Sequence, residues 1–180
     1  MSDAIPYAKL GIPLNIEPHL ADGAPAKVKM ALARGLMPLP PDAQLSVLYV
    51  LAGNPDPAVA QAARQTARAL PVKLITGTVG MKTHPKVLEF LVEFRDPDFE
   101  LDERVSLMRN ANDRTVLMVA ARADKNLSEK LCRNQERLLV TPQLFVTLHA
   151  NPNCTDADLF RAESFLRMQH GLPEVPGGHR

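Results

Sequence analysis

The segment most suggestive of ligand chemistry is residues 77–83, which read Gly-Thr-Val-Gly-Met-Lys-Thr. Loops that wrap a phosphate with backbone amides need a longer glycine-rich stretch and a glycine directly before the lysine. Met81 stands before Lys82 instead, and His84 and Pro85 start the following helix too late for the motif. We therefore interpret the two glycines as a bend between helical units, and we predict no cofactor.

Metal or nucleophilic chemistry needs side chains that converge on one point. Cys132 and Cys154 are the two cysteines of the chain, and together with His149 they do not follow a zinc-ligand spacing. We interpret both cysteines as small buried hydrophobic residues and predict no metal site. No serine lies in a Gly-x-Ser-x-Gly turn, and the adjacent acids Asp102 and Glu103 suit the first turn of a helix. The sequence therefore predicts a protein that is not an enzyme.

Composition narrows the possible classes of protein further. The 21 Lys and Arg residues almost balance the 20 Asp and Glu residues, and 46% of the chain is hydrophobic. This balance argues against nucleic-acid binding through bulk charge and against disorder as the main state. The longest apolar runs, residues 47–52 and 117–121, are too short to span a bilayer. A low cysteine content is typical of reducing compartments, so we predict a cytoplasmic protein that does not insert into membranes.

Proline, glycine, Asn and Asp residues divide the chain into short predicted helices. Asp56 is a typical helix N-cap, and Pro57 after it suits the first helical position. Similar signals place caps at Asn112 or Asp113 and at Thr155 or Asp156. The predicted helices cover residues 26–34, 42–52, 57–70, 85–94, 100–109, 113–123, 127–139, 142–150 and 156 to about 171.

The first 25 residues are rich in proline, which opposes helix formation. Their hydrophobic residues are nevertheless regularly spaced, so we predict an extended arm, residues 1–25, that covers hydrophobic surface of the helical body. A disordered terminus is the alternative, because chain ends without anchors are commonly disordered. Residues 172–180 are predicted to form a flexible tail.

Apolar helical segments recur along the chain at a nearly constant distance. Residues 47–55 resemble residues 144–152, and comparable segments begin at Val87 and Val116. The start positions 87, 116 and 144 differ by 29 and 28 residues. Because a pair of short helices cannot bury its apolar face alone, successive pairs must stack. We predict an all-α fold, a short right-handed α-solenoid of helix pairs over residues 26–171, with an irregular helical bundle as the alternative.

Two sequence phrases carry a resemblance to known families. Residues 54–63, Asn-Pro-Asp-Pro-Ala-Val-Ala-Gln-Ala-Ala, resemble the turn and second helix of HEAT-like repeats, and the shorter later units resemble leucine-rich variant repeats. The resemblance covers about residues 40–168. The chain is also similar to bacterial proteins that carry the Arg-Gly-Leu-x-Pro-Leu-Pro-Pro phrase of residues 34–41 and the Asn-Gln-x-Arg-Leu-Leu phrase of residues 134–139. This likeness implies a shared fold and supplies no activity.

Helical solenoids present extended surfaces to other proteins, so we expect a non-catalytic protein–protein interaction module, an adaptor or a regulatory scaffold. The candidate contact residues are polar side chains on second helices or between helices. They are Arg109, Asn110, Asn134, Gln135 and Arg137. Asn110 and Asn134 are equally well explained as residues that end or cap helices.

Two further functions stay open on the sequence alone. Some helical DNA-repair proteins resemble HEAT solenoids and hold duplex DNA on a basic concave face, and Arg64 and Arg68 share a helix face here. Residues 82–137, however, hold 11 basic and 11 acidic residues, which favours ordinary paired surface charges. The other possibility is a structural subunit that self-associates. The identity of the partner, the oligomeric state and the binding face are not predicted.

Overall fold

Helices make up all the regular structure that the computed structural model describes, in residues 6–169 and 171–175. The helical content is 66%, and these residues contain no strand. The predicted all-α class is confirmed. Residues 1–5 of the predicted arm, and residues 170 and 176–180 at the C-terminal end, lie outside the described residues. None of the described helices combines the length and the apolar character needed to cross a bilayer.

The described helices belong to two compact units. The first unit comprises the described residues up to Asp96 together with Met108–Asn110, and the second comprises Pro97–Leu107 and the described residues from Ala111 onward. The helices of the first unit are α1 (Glu17–Leu20), α2 (Ala26–Ala33), α3 (Pro41–Ala52), α4 (Pro57–Ala69), α5 (Val72–Thr78) and α6 (Pro85–Phe94). Those of the second unit are α7 (Phe99–Ser106), α8 (Asp113–Arg122), α9 (Lys125–Arg133), α10 (Gln135–Val140), α11 (Gln143–Ala150) and α12 (Asp156–Met168).

Short polar side chains start several of these helices at the predicted positions. The Asp56 carboxylate accepts a 2.9 Å hydrogen bond from the Ala58 N–H group, and Pro57 is the first residue of α4. Asn112 caps α8 and Thr155 caps α12, in each case the first of the two predicted alternatives. Each side chain supplies an acceptor for an N–H group of the first turn that has no partner within the helix.

Two segments that were not predicted to be helical contain helix. Residues 72–78 form α5, so the predicted bend is wrong for Gly77, whereas Gly80 lies in a bend of the loop between α5 and α6. The first 25 residues are not extended throughout, because Tyr7–Leu10 form a 3-10 turn and Glu17–Leu20 form α1. Pro18 lies in the first turn of α1, where a missing N–H group costs nothing because no helical acceptor faces it.

The N-terminal segment contributes to the core of the first unit. Its buried side chains are Leu10, Ile12, Ile16 and Leu20. The Ser46 hydroxyl group on α3 donates a 2.6 Å hydrogen bond to the Leu10 carbonyl group. α1 also contacts both α2 and α3. The segment is therefore anchored by apolar burial and by one buried hydrogen bond to a helix.

Several side chains bond to carbonyl groups about one predicted repeat earlier in the chain. In the first unit, the Arg95 guanidinium donates to two carbonyl groups at the end of α4, 28 and 27 residues before it. In the second unit, the Asn151 amide donates to Ala120 and Ala123 at the end of α8, at 2.8 and 2.9 Å and 31 and 28 residues before it. Because the last carbonyl groups of a helix have no donor within the helix, later segments complete the hydrogen bonding of earlier helices.

An ion pair joins α7 to α8 inside the second unit. The Arg122 guanidinium donates to both carboxylate oxygens of Asp102, at 2.8 and 2.5 Å. Asp102 is only 3% exposed. Burial raises the pKa of its carboxyl group above the ordinary value, and the hydrogen bond from Arg122 acts in the opposite direction. Arg122 therefore helps to keep a buried carboxylate ionised.

Replacing Ser46 with alanine removes the donor that holds Leu10. We expect the amides of residues 7–20 to take up deuterium faster, and the free energy of unfolding to fall by about 1 kcal/mol. Hydrogen–deuterium exchange with mass spectrometry measures the first effect. As a control, Ser106→Ala removes a hydroxyl group whose bond to Glu103 lies within α7, and it should leave residues 7–20 unchanged. Equal uptake in Ser46→Ala and wild type would contradict the anchoring role.

Replacing Arg122 with alanine leaves the Asp102 carboxylate buried without its cation. We expect a loss of about 3 kcal/mol near neutral pH, measured by urea unfolding. Removing the arginine raises the folded-state pKa of Asp102 further. A carboxyl group with a raised folded-state pKa favours folding when it is protonated, and this contribution is lost as the pH rises through that pKa. The deficit of Arg122→Ala should therefore be smaller at about pH 4.5 than at about pH 7.5.

The matched control for this variant is Arg133→Ala, which breaks an exposed pair with Glu129 on α9. An exposed pair of this kind contributes less than about 1 kcal/mol. Equal losses in the two variants, or a deficit of Arg122→Ala that does not depend on pH, would show that burial of Asp102 is not what makes the pair important.

Candidate functional site

The five contact residues predicted from the sequence are divided between the two units. Arg109 and Asn110 belong to the first unit, whereas Asn134, Gln135 and Arg137 belong to the second. Arg109 and Gln135 are exposed, Asn110 and Asn134 are half-buried, and Arg137 is buried. A role of this set in binding a partner stays a prediction.

Asn110 holds the loop that follows α5. Its amide nitrogen lies 3.2, 3.3 and 2.7 Å from the carbonyl oxygens of Gly80, Met81 and Thr83. Within the same loop, the Gly80 N–H group donates a 3.0 Å hydrogen bond to the Thr83 hydroxyl oxygen. The Gly80 N–H group is therefore bonded within the loop, whereas a phosphate-binding loop needs its backbone N–H groups available to the phosphate. Asn110 therefore has a structural role, as a donor to this loop and not as a residue that ends or caps a helix.

Asn134 and Arg137 also make structural contacts. The Asn134 side chain caps α10 by accepting a 3.1 Å hydrogen bond from the Arg137 N–H group. The Arg137 guanidinium donates to the Ala111 carbonyl group at 3.3 Å and lies 3.8 Å from the Asp113 carboxylate. With 8% of Arg137 exposed, little of its surface is accessible to a partner.

An open groove of about 500 Å³ lies in the first unit, between the end of α3 and one face of α6. On α6 the lining positions recur every three or four residues, which places them on one side of the helix. The end of α3 and the glycine after it form the opposite wall. The lining residues are Tyr49, Val50, Ala52, Gly53, Lys86, Glu89, Phe90, Glu93 and Phe94.

Three aromatic rings are in contact along this groove. The rings of Tyr49 and Phe90 meet edge to face with centroids 6.0 Å apart, and the rings of Phe90 and Phe94 are 5.3 Å apart. Phe90 is 4% exposed and anchors the cluster in the core, whereas Tyr49 and Phe94 are half-buried. Ring pairs in such geometry stabilise each other, so the aromatic surface that lines the groove is held in place.

The charged lining residues add an excess of one negative charge. The Glu89 carboxylate is buried and lies 2.9 Å from the Lys86 ammonium group, and Glu93 is exposed beside them. Next to the groove, the Arg64 guanidinium lies 4.9 Å from the centroid of the Phe94 ring. Arg64 is fixed there by a 2.9 Å hydrogen bond to the Ala52 carbonyl group. The ring of Phe94 thus already takes part in one cation–π contact.

The sequence indicates the α6 wall of this groove but not the α3 wall. Glu89 and Phe90 are followed four residues later by Glu93 and Phe94, which predicts a helix face that is both acidic and aromatic. The wall that Tyr49 supplies could not be assigned, because α3 lies far from α6 in the chain and no local spacing relates the two helices.

The structure also shows where His149 and the two cysteines lie. His149 lies in the last turn of α11, with its ring 6.1 Å from that of Phe145. Cys132 and Cys154 are both buried, as predicted, and their sulfur atoms are 3.5 Å apart. Among the described residues, no three His, Cys, Asp or Glu side chains are grouped so that they could hold a metal ion.

No protein-family model, curated protein or solved structure matches this chain. The similarity to HEAT-like repeats therefore stays an expectation from the sequence.

Replacing Asn110 with alanine removes the side-chain amide that donates to carbonyl groups of the loop after α5. We expect a loss of about 2 kcal/mol in the free energy of unfolding, because half-buried carbonyl groups then lack a partner. Gln135→Ala, at an exposed position from the same predicted set, should change the stability by less than about 0.5 kcal/mol. Urea unfolding of both variants checks this, and an Asn110→Ala variant as stable as Gln135→Ala would refute the structural role.

Proposed function

We propose that the protein is a non-catalytic protein–protein interaction module, and that the groove between α3 and α6 binds a partner segment with a basic side chain among apolar residues. The observation that supports this most is the lining of the groove, which combines three aromatic side chains with an excess of carboxylate. No residue of this lining needs to act as an acid, a base or a nucleophile in such a role.

The chemistry of the lining favours this occupant over others. An arginine or lysine side chain packs its alkyl stem on aromatic surface and directs its charged end to a ring face or a carboxylate. An acidic segment would be repelled by the exposed Glu93 carboxylate. A purely apolar segment would take the exposed Glu93 carboxylate out of water, which is unfavourable. A segment with one central cation can pack on the aromatic rings and also neutralise the excess negative charge of the lining.

We also propose that the helices stack as HEAT-like α-solenoid repeats. Several side-chain hydrogen bonds support this, because their partners are between 26 residues apart, for Arg137 and Ala111, and 31 residues apart, for Asn151 and Ala120. These offsets are close to the 28- and 29-residue spacing of the apolar segments. Stacked repeats expose continuous helix faces, and grooves between helices are where such proteins commonly receive a partner.

Charge pairing favours a protein over a nucleic acid as the partner. Arg68 pairs with Asp96, Arg133 with Glu129, and Arg122 with Asp102. A basic face that binds phosphates needs cations that are not already balanced by carboxylates. The nearly equal numbers of basic and acidic residues also favour a protein partner over a nucleic acid.

Binding of short fluorescent peptides tests the proposal. Three peptides share the same leucines and differ at one central position, which is arginine, glutamine or glutamate. We expect fluorescence anisotropy to give the highest affinity for the arginine peptide, at least about tenfold lower affinity for the glutamine peptide, and no binding of the glutamate peptide. Equal affinities, or no binding of the arginine peptide, would overturn the proposal.

A charge reversal in the groove provides the matched control. Glu93 is exposed, so Glu93→Lys should fold normally and lower the affinity for the arginine peptide by at least about tenfold. Glu100→Lys makes the same change at an exposed position outside the groove, and it should leave the affinity unchanged. A labelled DNA duplex that binds more tightly than the arginine peptide, with a steep loss of affinity as salt rises, would favour the nucleic-acid alternative instead.

A further inference from the structure

Two buried thiols face each other in the second unit. The sulfur atoms of Cys132 and Cys154 are 3.5 Å apart, and both residues are at most 3% exposed. Cys132 lies in the last turn of α9, whereas Cys154 lies in the turn that precedes α12. They are 22 residues apart in the chain and meet because α9 contacts α12.

The separation is close to what a covalent bond requires. A disulfide has its sulfur atoms about 2.05 Å apart, so the two atoms need to approach each other by about 1.5 Å. Cys154 is not in a helix, and its turn is closed by the hydrogen bonds of Cys154 N–H and Asn153 N–H to Asn151. A turn can adjust its backbone more easily than a helix, so this movement does not require α9 to shift.

The resting state protects the pair from rapid reaction. The contact with Cys154 and the burial of the thiol both raise the pKa of Cys132. A thiol must lose its proton before it can attack a disulfide. Reaction therefore begins when the turn at Cys154 opens locally and admits water and the oxidant.

We propose that Cys132 and Cys154 form a modification site, in which thiol–disulfide exchange with a small-molecule disulfide such as oxidised glutathione produces an intrachain disulfide. One cysteine loses its proton and attacks a glutathione sulfur, the bond between the two glutathione sulfurs breaks, and one glutathione thiolate leaves. The second cysteine then loses its proton and attacks the mixed disulfide, which releases the second thiolate. Both released thiolates take up a proton, so the protein loses two hydrogens and oxidised glutathione becomes two reduced molecules.

The new bond constrains the second unit without rearranging it. It closes a loop that contains α10 and α11, and it joins α9 to the turn that precedes α12, a helix that already contacts α9. A cross-link of this kind limits the unfolded chain more than the folded one, so it stabilises the folded state. The effect is independent of the groove, which belongs to the first unit.

Incubation of the full chain with oxidised glutathione tests the site. We expect intact-mass spectrometry after alkylation to show the loss of two hydrogens in a single chain, with no glutathione adduct and no thiol that can be alkylated in denaturant. The apparent Tm of the chain should rise by on the order of 5 °C and return to its original value with dithiothreitol. Persistent thiols, a stable glutathione adduct or disulfide-linked dimers would overturn the proposal.

A second measurement needs no variant that might fail to fold. In glutathione redox buffers, the equilibrium constant for disulfide formation should be at least about tenfold higher in the folded chain than in the chain unfolded by urea, since only the folded chain holds the thiols together. Equal constants would contradict the preorganised pair. Cys154→Ala retains one thiol and should form a glutathione adduct but no intrachain bond, with no gain in Tm.

Discussion

The carbonyl groups at the ends of short helices are the constraint on which the described structure depends. The longest helices have 13 residues, so the unpaired carbonyl groups of the last turn are a large part of every helix. Helices of this length are not stable on their own in water. Arg64, Arg95 and Asn151 each donate to the end of an earlier helix. Folding of one helix therefore depends on residues that follow it in the chain, and for Arg95 and Asn151 the distance is about one repeat.

The same constraint explains why polar residues that suggest a contact surface in the sequence have structural roles. Asn110 closes a loop, Asn134 caps a helix, and Arg137 donates to a carbonyl group near the start of α8. Each of these side chains has its hydrogen-bonding groups directed into the protein. The groove of the first unit has the opposite character, because its rings and carboxylates surround an open volume. The groove that we propose as a binding site therefore lies between two helices, whereas these structural contacts lie at helix ends and in a loop.

The two units offer different chemistry. The first unit holds the aromatic and acidic groove, and the second holds the buried Asp102–Arg122 pair and the two neighbouring thiols. The ion pair joins α7 to α8, and the thiol pair joins α9 to the turn before α12. Burial raises the pKa of Asp102, and the contact with Cys154 together with burial raises the pKa of Cys132, so the ion pair needs its arginine and the thiols react only when their turn opens.

The sequence by itself determined where many helices begin and how far apart the repeated segments are. Capping depends on a few neighbouring residues, so Asp56, Asn112 and Thr155 could be identified without the fold. Proline was less informative, since Pro18 is compatible with a helix in the first turn and the helix α1 was therefore missed. Only the tertiary structure decided which side chains meet, such as Tyr49 with Phe90 and Cys132 with Cys154. These contacts join segments that are distant in the chain, and their geometry follows from packing, which no local spacing of residues encodes.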